Sequence, residues 1–173
     1  MNGTLTKRSD IKAFYGLPGT GTGSPTFTRM KGFTELSTSK NPKEYSAQYV
    51  DEDFETSHAT GYSTSISFAF DKYIGDAVLE DIVTIFDDEL TGTDAQREIV
   101  QVDFTKESGG GFAAVKRTFS VIADSAGDST EAMTYSGTFK VVTKLVKGVA
   151  LIATPENGDS DTVETITFSE QSE

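Results

Sequence analysis

Cysteine is absent from all 173 residues. That excludes a disulfide framework and thiolate chemistry, and it is compatible with folding in a reducing cytoplasm. Tryptophan is absent too, and His58 is the one histidine. A lone His between Ser57 and Ala59 reads as a strand-edge or loop residue rather than as a base or ligand, and without Cys partners it excludes an ordinary transition-metal site. Scattered tyrosines alone make a poor sugar platform, and nothing resembles a nucleophile elbow or a catalytic triad. Cations are scarce: 15 Lys and Arg stand against 27 Asp and Glu, a formal net charge of −12. A surface this acidic repels phosphates, which argues against sequence-reading nucleic-acid binding. No apolar run approaches the ~20 residues of a membrane span. Met1-Asn2-Gly3-Thr4 opens without the apolar stretch of a signal peptide. The hydrophobic fraction, 36%, is low for a compact globule and implies one core with polar arms and loops.

What is present is organised around Gly61–Phe104. From Tyr62 to Phe70 one parity is Tyr62, Thr64, Ile66, Phe68 and Phe70; the other is Gly61, Ser63, Ser65, Ser67 and Ala69. This period-two pattern predicts a strand with a bulky face toward a core and a small, hydroxylated face away from it. A helix over about 76–89 follows. Asp76 is a good N-cap, and Val78, Ile82 and Ile85, with Leu79, Val83 and Phe86, form a broad apolar face. Asp87-Asp88-Glu89 places negative charge against the helix dipole, and Thr91-Gly92-Thr93 is the expected stop. Arg97 to Phe104 alternates again, Ile99, Gln101 and Asp103 against Val100, Val102 and Phe104. A single helix inserted among strands predicts a mainly β, antiparallel sandwich with that helix packed on it.

The run GYSTSISFAFDKYIGDAVLEDIV, continuing through DDELTGTDAQREIVQVDF, resembles the major tail (tail-tube) proteins of phages and prophages of Gram-positive bacteria. GFTELSTSKNPKEYSAQYVDE upstream and MTYSGTFKVVTKLVKGVA downstream resemble the same family, so the likeness covers most of residues 32–150. It implies a sandwich or barrel-like subunit, rings of six, and stacked rings forming a tube for DNA passage in the virion tail, the subunit being made in the host cytoplasm. The implied partners are further copies of the chain and the tail terminator, tape-measure and distal tail proteins. DNA would pass without specific binding, and neither cofactor, metal nor membrane is implied.

The rest of the chain fits one domain: an N-terminal arm (1–25), a core (26–154) with a long loop (37–57), and an acidic C-terminal arm (155–173). The first arm is locally basic through Lys7, Arg8 and Lys12 and carries apolar Ile11, Phe14, Tyr15 and Leu17; Lys7, Arg8, Phe14 and Tyr15 are its candidate contacts with a neighbouring subunit. Its Leu17-Pro18-Gly19-Thr20-Gly21 matches a sortase-type string only in spelling, since no apolar tail follows, and its glycines lack the Lys-Ser/Thr pair of a phosphate loop. Residues 26–36 read as one strand, 112–123 as another, 132–147 as a third with Gly137 at a bend or bulge. Val149–Ala153 and Thr162–Phe168 are short strands, the latter strand or arm, in a tail expected to be partly mobile.

Residues 37–57 are too long for a hairpin loop of ~2–5 residues. Lys40 and Lys43 lie at one end, Asp51, Glu52, Asp53 and Glu55 at the other, with Tyr45, Tyr49 and Phe54 between or beside them. Opposite charges at two ends suit head-to-tail contact between copies, and the family resemblance implies a loop that reaches the next ring. The candidate inter-subunit residues are Lys40, Lys43, Tyr45, Tyr49, Asp51, Glu52, Asp53 and Phe54. Ser63, Ser65 and Ser67 are candidates for part of a channel wall. The acidic clusters 51–55, 124–131 and 159–161 lack the ligand spacing of a calcium loop. The rival reading is a monomeric β-sandwich binding or adhesin module; an enzyme is disfavoured by the poor supply of nucleophiles and bases.

Overall fold

The computed structural model describes residues 5–19, 26–127, 129–152 and 162–171. Its strands are β1 (Ile11–Gly16), β2 (Thr26–Arg29), β3 (Phe33–Ser39), β4 (Pro42–Ala47), β5 (Thr56–Tyr62), β6 (Ser65–Asp71), β7 (Gln96–Ser108), β8 (Gly111–Ala126), β9 (Thr134–Val141), β10 (Val146–Ile152) and β11 (Thr165–Glu170). The one α-helix among the described residues, α1, is Ala77–Asp87. No helix among the described residues is long and apolar enough to cross a membrane.

The long strand β8 explains the architecture. One edge pairs with β7 from Gly111 to Ser120. The other edge is shared: Phe112–Lys116 pairs with β10, and Phe119–Ala126 pairs with β9. Through the first pairing the order β1-β2-β11-β10-β8-β7 returns to β1, and every step is antiparallel. This is a closed six-stranded barrel, small enough for side chains to fill. Phe14, Phe27, Val100, Val102, Ile166 and Phe168 fill it. Through the second pairing the sheet runs on as β8-β9-β6-β3, and α1 packs on it. Phe68, Phe70, Tyr135 and Phe139 from the sheet meet Val78, Leu79, Ile82, Val83 and Ile85 from the helix in a second core. Burying such side chains contributes roughly 1.5–3 kcal/mol each as an upper bound.

Strand β7 belongs to both cores, and its alternation is the one read in the sequence: Ile99 faces the helix core, Val100 and Val102 the barrel. The Asp76 cap is also as expected, its carboxylate accepting from the Val78 and Leu79 amides at 3.0 and 3.1 Å. The helix stop is different. Thr91-Gly92-Thr93 does not end it; Glu89 does, in the left-handed region at φ +49°. The Leu90 amide donates to the Ile85 carbonyl (3.1 Å) and the Glu89 amide to Phe86 (3.3 Å), which is the paired hydrogen bonding of a Schellman ending. Leu90 packs on the helix core beneath it.

Four boundaries are corrected. The N-terminal segment is not an arm throughout: β1 lies inside the sheet between β2 and β7, and Phe14 and Tyr15 are fully buried, so neither can contact another subunit. Residues 26–36 are two strands, because Gly32 (φ +72°) turns the chain from the barrel to the outer edge. The tail is likewise not all arm, since β11 pairs with β10 and β2, with Val163, Ile166 and Phe168 buried; residues 153–161 lie outside the described residues. The segment 132–147 divides into β9 and the start of β10. Gly137 sits in β9 for close packing: a Cβ there would lie 2.4 Å from the Ile122 carbonyl oxygen and 2.7 Å from the Phe68 ring. The irregularity is in the facing strand, between Ala123 and Ser125.

Candidate functional site

The segment read as a long loop is a β-hairpin. Strands β4 and β5 form their own two-stranded sheet, from Pro42 opposite Tyr62 to Ala47 opposite Thr56. It continues the β3–β6 ladder beyond the body of the molecule, since that ladder ends at Ser39 opposite Ser65. The join is made by Asn41, which takes φ +43°, a conformation Asn tolerates better than most residues. Its side-chain amide donates to the Ser63 carbonyl (3.0 Å) and to the Ser65 hydroxyl (3.1 Å), while the Ser63 amide donates to the Asn41 carbonyl (3.0 Å). Tyr62 therefore does not face a core with Ile66 and Phe68. It belongs to β5 and is exposed.

The hairpin is ordered along its length yet buries almost nothing. Ser46 and Ser57 hydroxyls are 2.6 Å apart, and Thr56 donates to the Ala47 carbonyl (3.1 Å). His58 stands opposite Tyr45. At the tip, the Glu52 amide donates to the Tyr49 carbonyl (3.0 Å), closing a turn. Tyr45, Tyr49, Val50 and Phe54 are 57%, 58%, 110% and 81% exposed. An isolated two-stranded hairpin is marginal in water. The charges separate along it: Lys40 and Lys43 at the base, Asp51, Glu52, Asp53 and Glu55 at the tip.

No protein-family model matches the chain, and no curated protein matches it in sequence. Solved structures match in shape. The SPP1 tail tube, determined by solid-state NMR and cryo-EM, is 15% identical, with 89% of this chain and 85% of that chain covered at a TM-score of 0.67. The tail of an empty gene transfer agent particle, refined with C6 symmetry, is 17% identical over 82% of this chain and 97% of that one, at a TM-score of 0.59. The native gene transfer agent virion gives 0.57 at the same identity and coverage. This chain has the tail-tube fold. Its structural neighbours are tail-tube proteins of multi-subunit assemblies.

Within the tail-tube fold the remaining candidates separate. Lys7 and Arg8 lie at the short 3-10 turn before β1, and Arg8 bridges two strands by donating to the carbonyls of Ile11 (2.7 Å) and Leu36 (3.2 Å). Ser65 and Ser67 lie on the face of β6 opposite Ile66, Phe68 and Phe70 of the helix core, whereas Ser63 lies in the break between β5 and β6. The register places Ser67 between Ser37 and Thr138, so the small hydroxylated surface is wider than one strand. Ser63 is exposed and Ser67 half-buried; Ser65 is 7% exposed, covered by Asn41.

One cluster was not anticipated from the sequence. Asp81 on α1 accepts from the Tyr15 hydroxyl (2.7 Å), from Arg97 Nε (2.7 Å) and from Arg97 Nη2 (3.0 Å). It fastens the helix to β1 and β7. Burial, then the Asp81 charge and its hydrogen bond, pushes the Tyr15 hydroxyl well above its ordinary range, and the Asp81 hydrogen bond raises Arg97. The three groups are satisfied by one another and leave no reactive position, so the arrangement is a structural clamp.

Proposed function

We propose that this chain is the structural subunit of a phage-type tail tube: copies form rings, rings stack, and the stack makes a channel for DNA. The observation that carries the reading is the β4–β5 hairpin, folded and aromatic but unburied in the single subunit, on a tail-tube fold. The six-fold symmetry of a neighbour's tail supports rings of six. In this reading the chain is non-catalytic, resides in the virion tail and meets tail terminator, tape-measure and distal tail proteins at the ends of the tube.

Two surfaces do the physical work. The hairpin reaches the next ring and gives its exposed aromatics a partner. The hydroxylated sheet face around Ser63 and Ser67 supplies part of the channel wall. A basic wall would hold DNA through counterion release, whereas a small polar one within an acidic protein lets it slide. Lysine at both Ser63 and Ser67 should leave tubes intact and slow DNA ejection; unchanged ejection would place that face elsewhere on the tube.

The direct test is electron microscopy of the concentrated protein beside a variant whose residues 48–55 are replaced by Asn-Gly, a turn suited to a two-residue hairpin connection. Hollow tubes or six-fold rings from the intact chain, absent from the variant, are expected. A persistent monomer, indistinguishable from the variant at every concentration, would favour the binding-module reading.

A further inference from the structure

The hairpin tip needs a receptor, and the chain carries a surface of the matching chemistry. Between the start of β1 and β3 lies an open groove in two adjoining parts of about 550 and 380 Å³. Arg8, Lys12, Arg29, Lys31 and Lys40 line it, and no carboxylate is among its described lining residues; Lys12 is buried, with its ammonium over the Phe104 ring of the barrel. Arg8, Lys31 and Lys40 are exposed there. Lys31 also meets Glu164 in an ion pair whose side chains are 44% and 57% exposed, an arrangement that exchanges partners at little cost. Ile11, Met30, Phe33 and Leu36 give the groove an apolar floor.

The tip is its complement in both respects. It bears Asp51, Glu52, Asp53 and Glu55 beside exposed Tyr49, Val50 and Phe54, and no Lys or Arg occurs from Glu44 to Asp71. It cannot fill the groove of its own chain. Lys40, at the foot of the hairpin, lines the groove, and the eight steps from Pro42 to Val50 carry the tip about 26 Å away at ~3.3 Å per residue.

Building on the tail-tube reading, we infer that this groove is the docking site for the acidic, aromatic hairpin tip of a second copy. The contact is heterologous, so each copy both gives a tip and receives one, and the chain of contacts closes into a ring or propagates along a stack. Arg8 is held for the task by its two carbonyl partners. Lys40 couples the two ends of the device, since it lies in the groove at the root of the arm.

The test is a charge exchange. Lys31→Glu/Lys40→Glu reverses the groove, and Asp51→Lys/Glu52→Lys/Asp53→Lys reverses the tip; all five sites are exposed, and thermal melts verify folding. Each variant alone should lose at least ten-fold in sedimentable polymer. An equimolar mixture should regain it, because each reversed end then meets its opposite. Wild-type assembly with no recovery in the mixture, or reversed variants that polymerise like wild type, would overturn the groove while leaving the tube reading intact. A second measurement needs no tubes. In this cysteine-free chain, Asp53→Cys/Lys31→Cys should give a ladder of disulfide-linked oligomers on mild oxidation, and Asp53→Cys/Lys106→Cys, with its partner cysteine outside the groove, should not. Equal ladders would refute the docking site. A specific ladder from a protein that never forms tubes would retain the contact and reject the tube.

Discussion

The body and the hairpin of this molecule use the same element, the antiparallel strand pair, to opposite ends. In the body, β7 and β8 place both faces against apolar layers, and the side chains that matter are Phe14, Phe68, Phe139 and Val100, all 3% exposed or less. In the hairpin, β4 and β5 face solvent on both sides. The difference separates the part that carries stability from the part to which the tail-tube proposal assigns assembly. One region is finished by folding, and the other has its aromatics in place with nothing yet to cover them.

The sharpest way to break the comparison is to empty the body. Phe139→Ala removes a fully buried ring 4.4 Å from Phe68 (centroid to centroid), and should cost about 3–5 kcal/mol in urea unfolding; a loss under ~1 kcal/mol would mean the core is not where it is described. Next comes the clamp. Arg97→Met leaves Asp81, 13% exposed, with only Tyr15, and should cost about 3 kcal/mol. Its neighbour titrates. Tyr15 is neutral in the fold with its pKa raised, so its contribution is complete below the ordinary tyrosine value of about 10 and is lost as pH rises above it, because the unfolded chain then ionises first. Stability should fall through that alkaline range in wild type and fall less in Tyr15→Phe; parallel curves would acquit Tyr15. A smaller effect has the other sign. Glu89→Gly relieves a left-handed residue at the helix end and should add about 0.5–1 kcal/mol, which a rise in melting temperature would register. The smallest effect on stability belongs to the hairpin. Tyr49→Ser/Phe54→Ser should shift unfolding by no more than ~0.5 kcal/mol while polymer formation collapses. A large stability loss there would erase the distinction between the two regions.

Legibility followed the same division. Strand β7 was readable because the apolar parity Val100, Val102 and Phe104 alternates with the more polar Ile99, Gln101 and Asp103, and helix α1 because Val78 and Ile82 lie across from Glu80. Strand β1 was not. Lying between two cores, it is apolar on both faces through Ala13 and Tyr15 on one and Phe14 on the other, so it shows no alternation, and its flanking cations made it look like an arm. The hairpin was hidden for the converse reason: with neither face buried, Glu44, Tyr45, Ser46 and Ala47 carry no pattern that a core would impose. Its opposite charges were visible in the sequence because they are local. The groove was not, because Arg8, Lys31 and Lys40 meet only through the topology that brings the start of β1 beside β3.

The barrel closure has a consequence for biosynthesis. Strand β2 is locked in place by β11, with Phe27 opposite Ile166, partners roughly 140 residues apart. At about 5–20 residues per second, a nascent chain waits some seconds to tens of seconds before the seam can form. During that interval the hairpin, whose contacts are all local, can already be complete. A ribosome product released before Thr165 would therefore display a sticky arm on an unsealed body. If the chain polymerises as proposed, a cell making many copies at once gains when seam closure precedes the encounter between copies, and the last strand becomes a checkpoint on which molecules are fit to join.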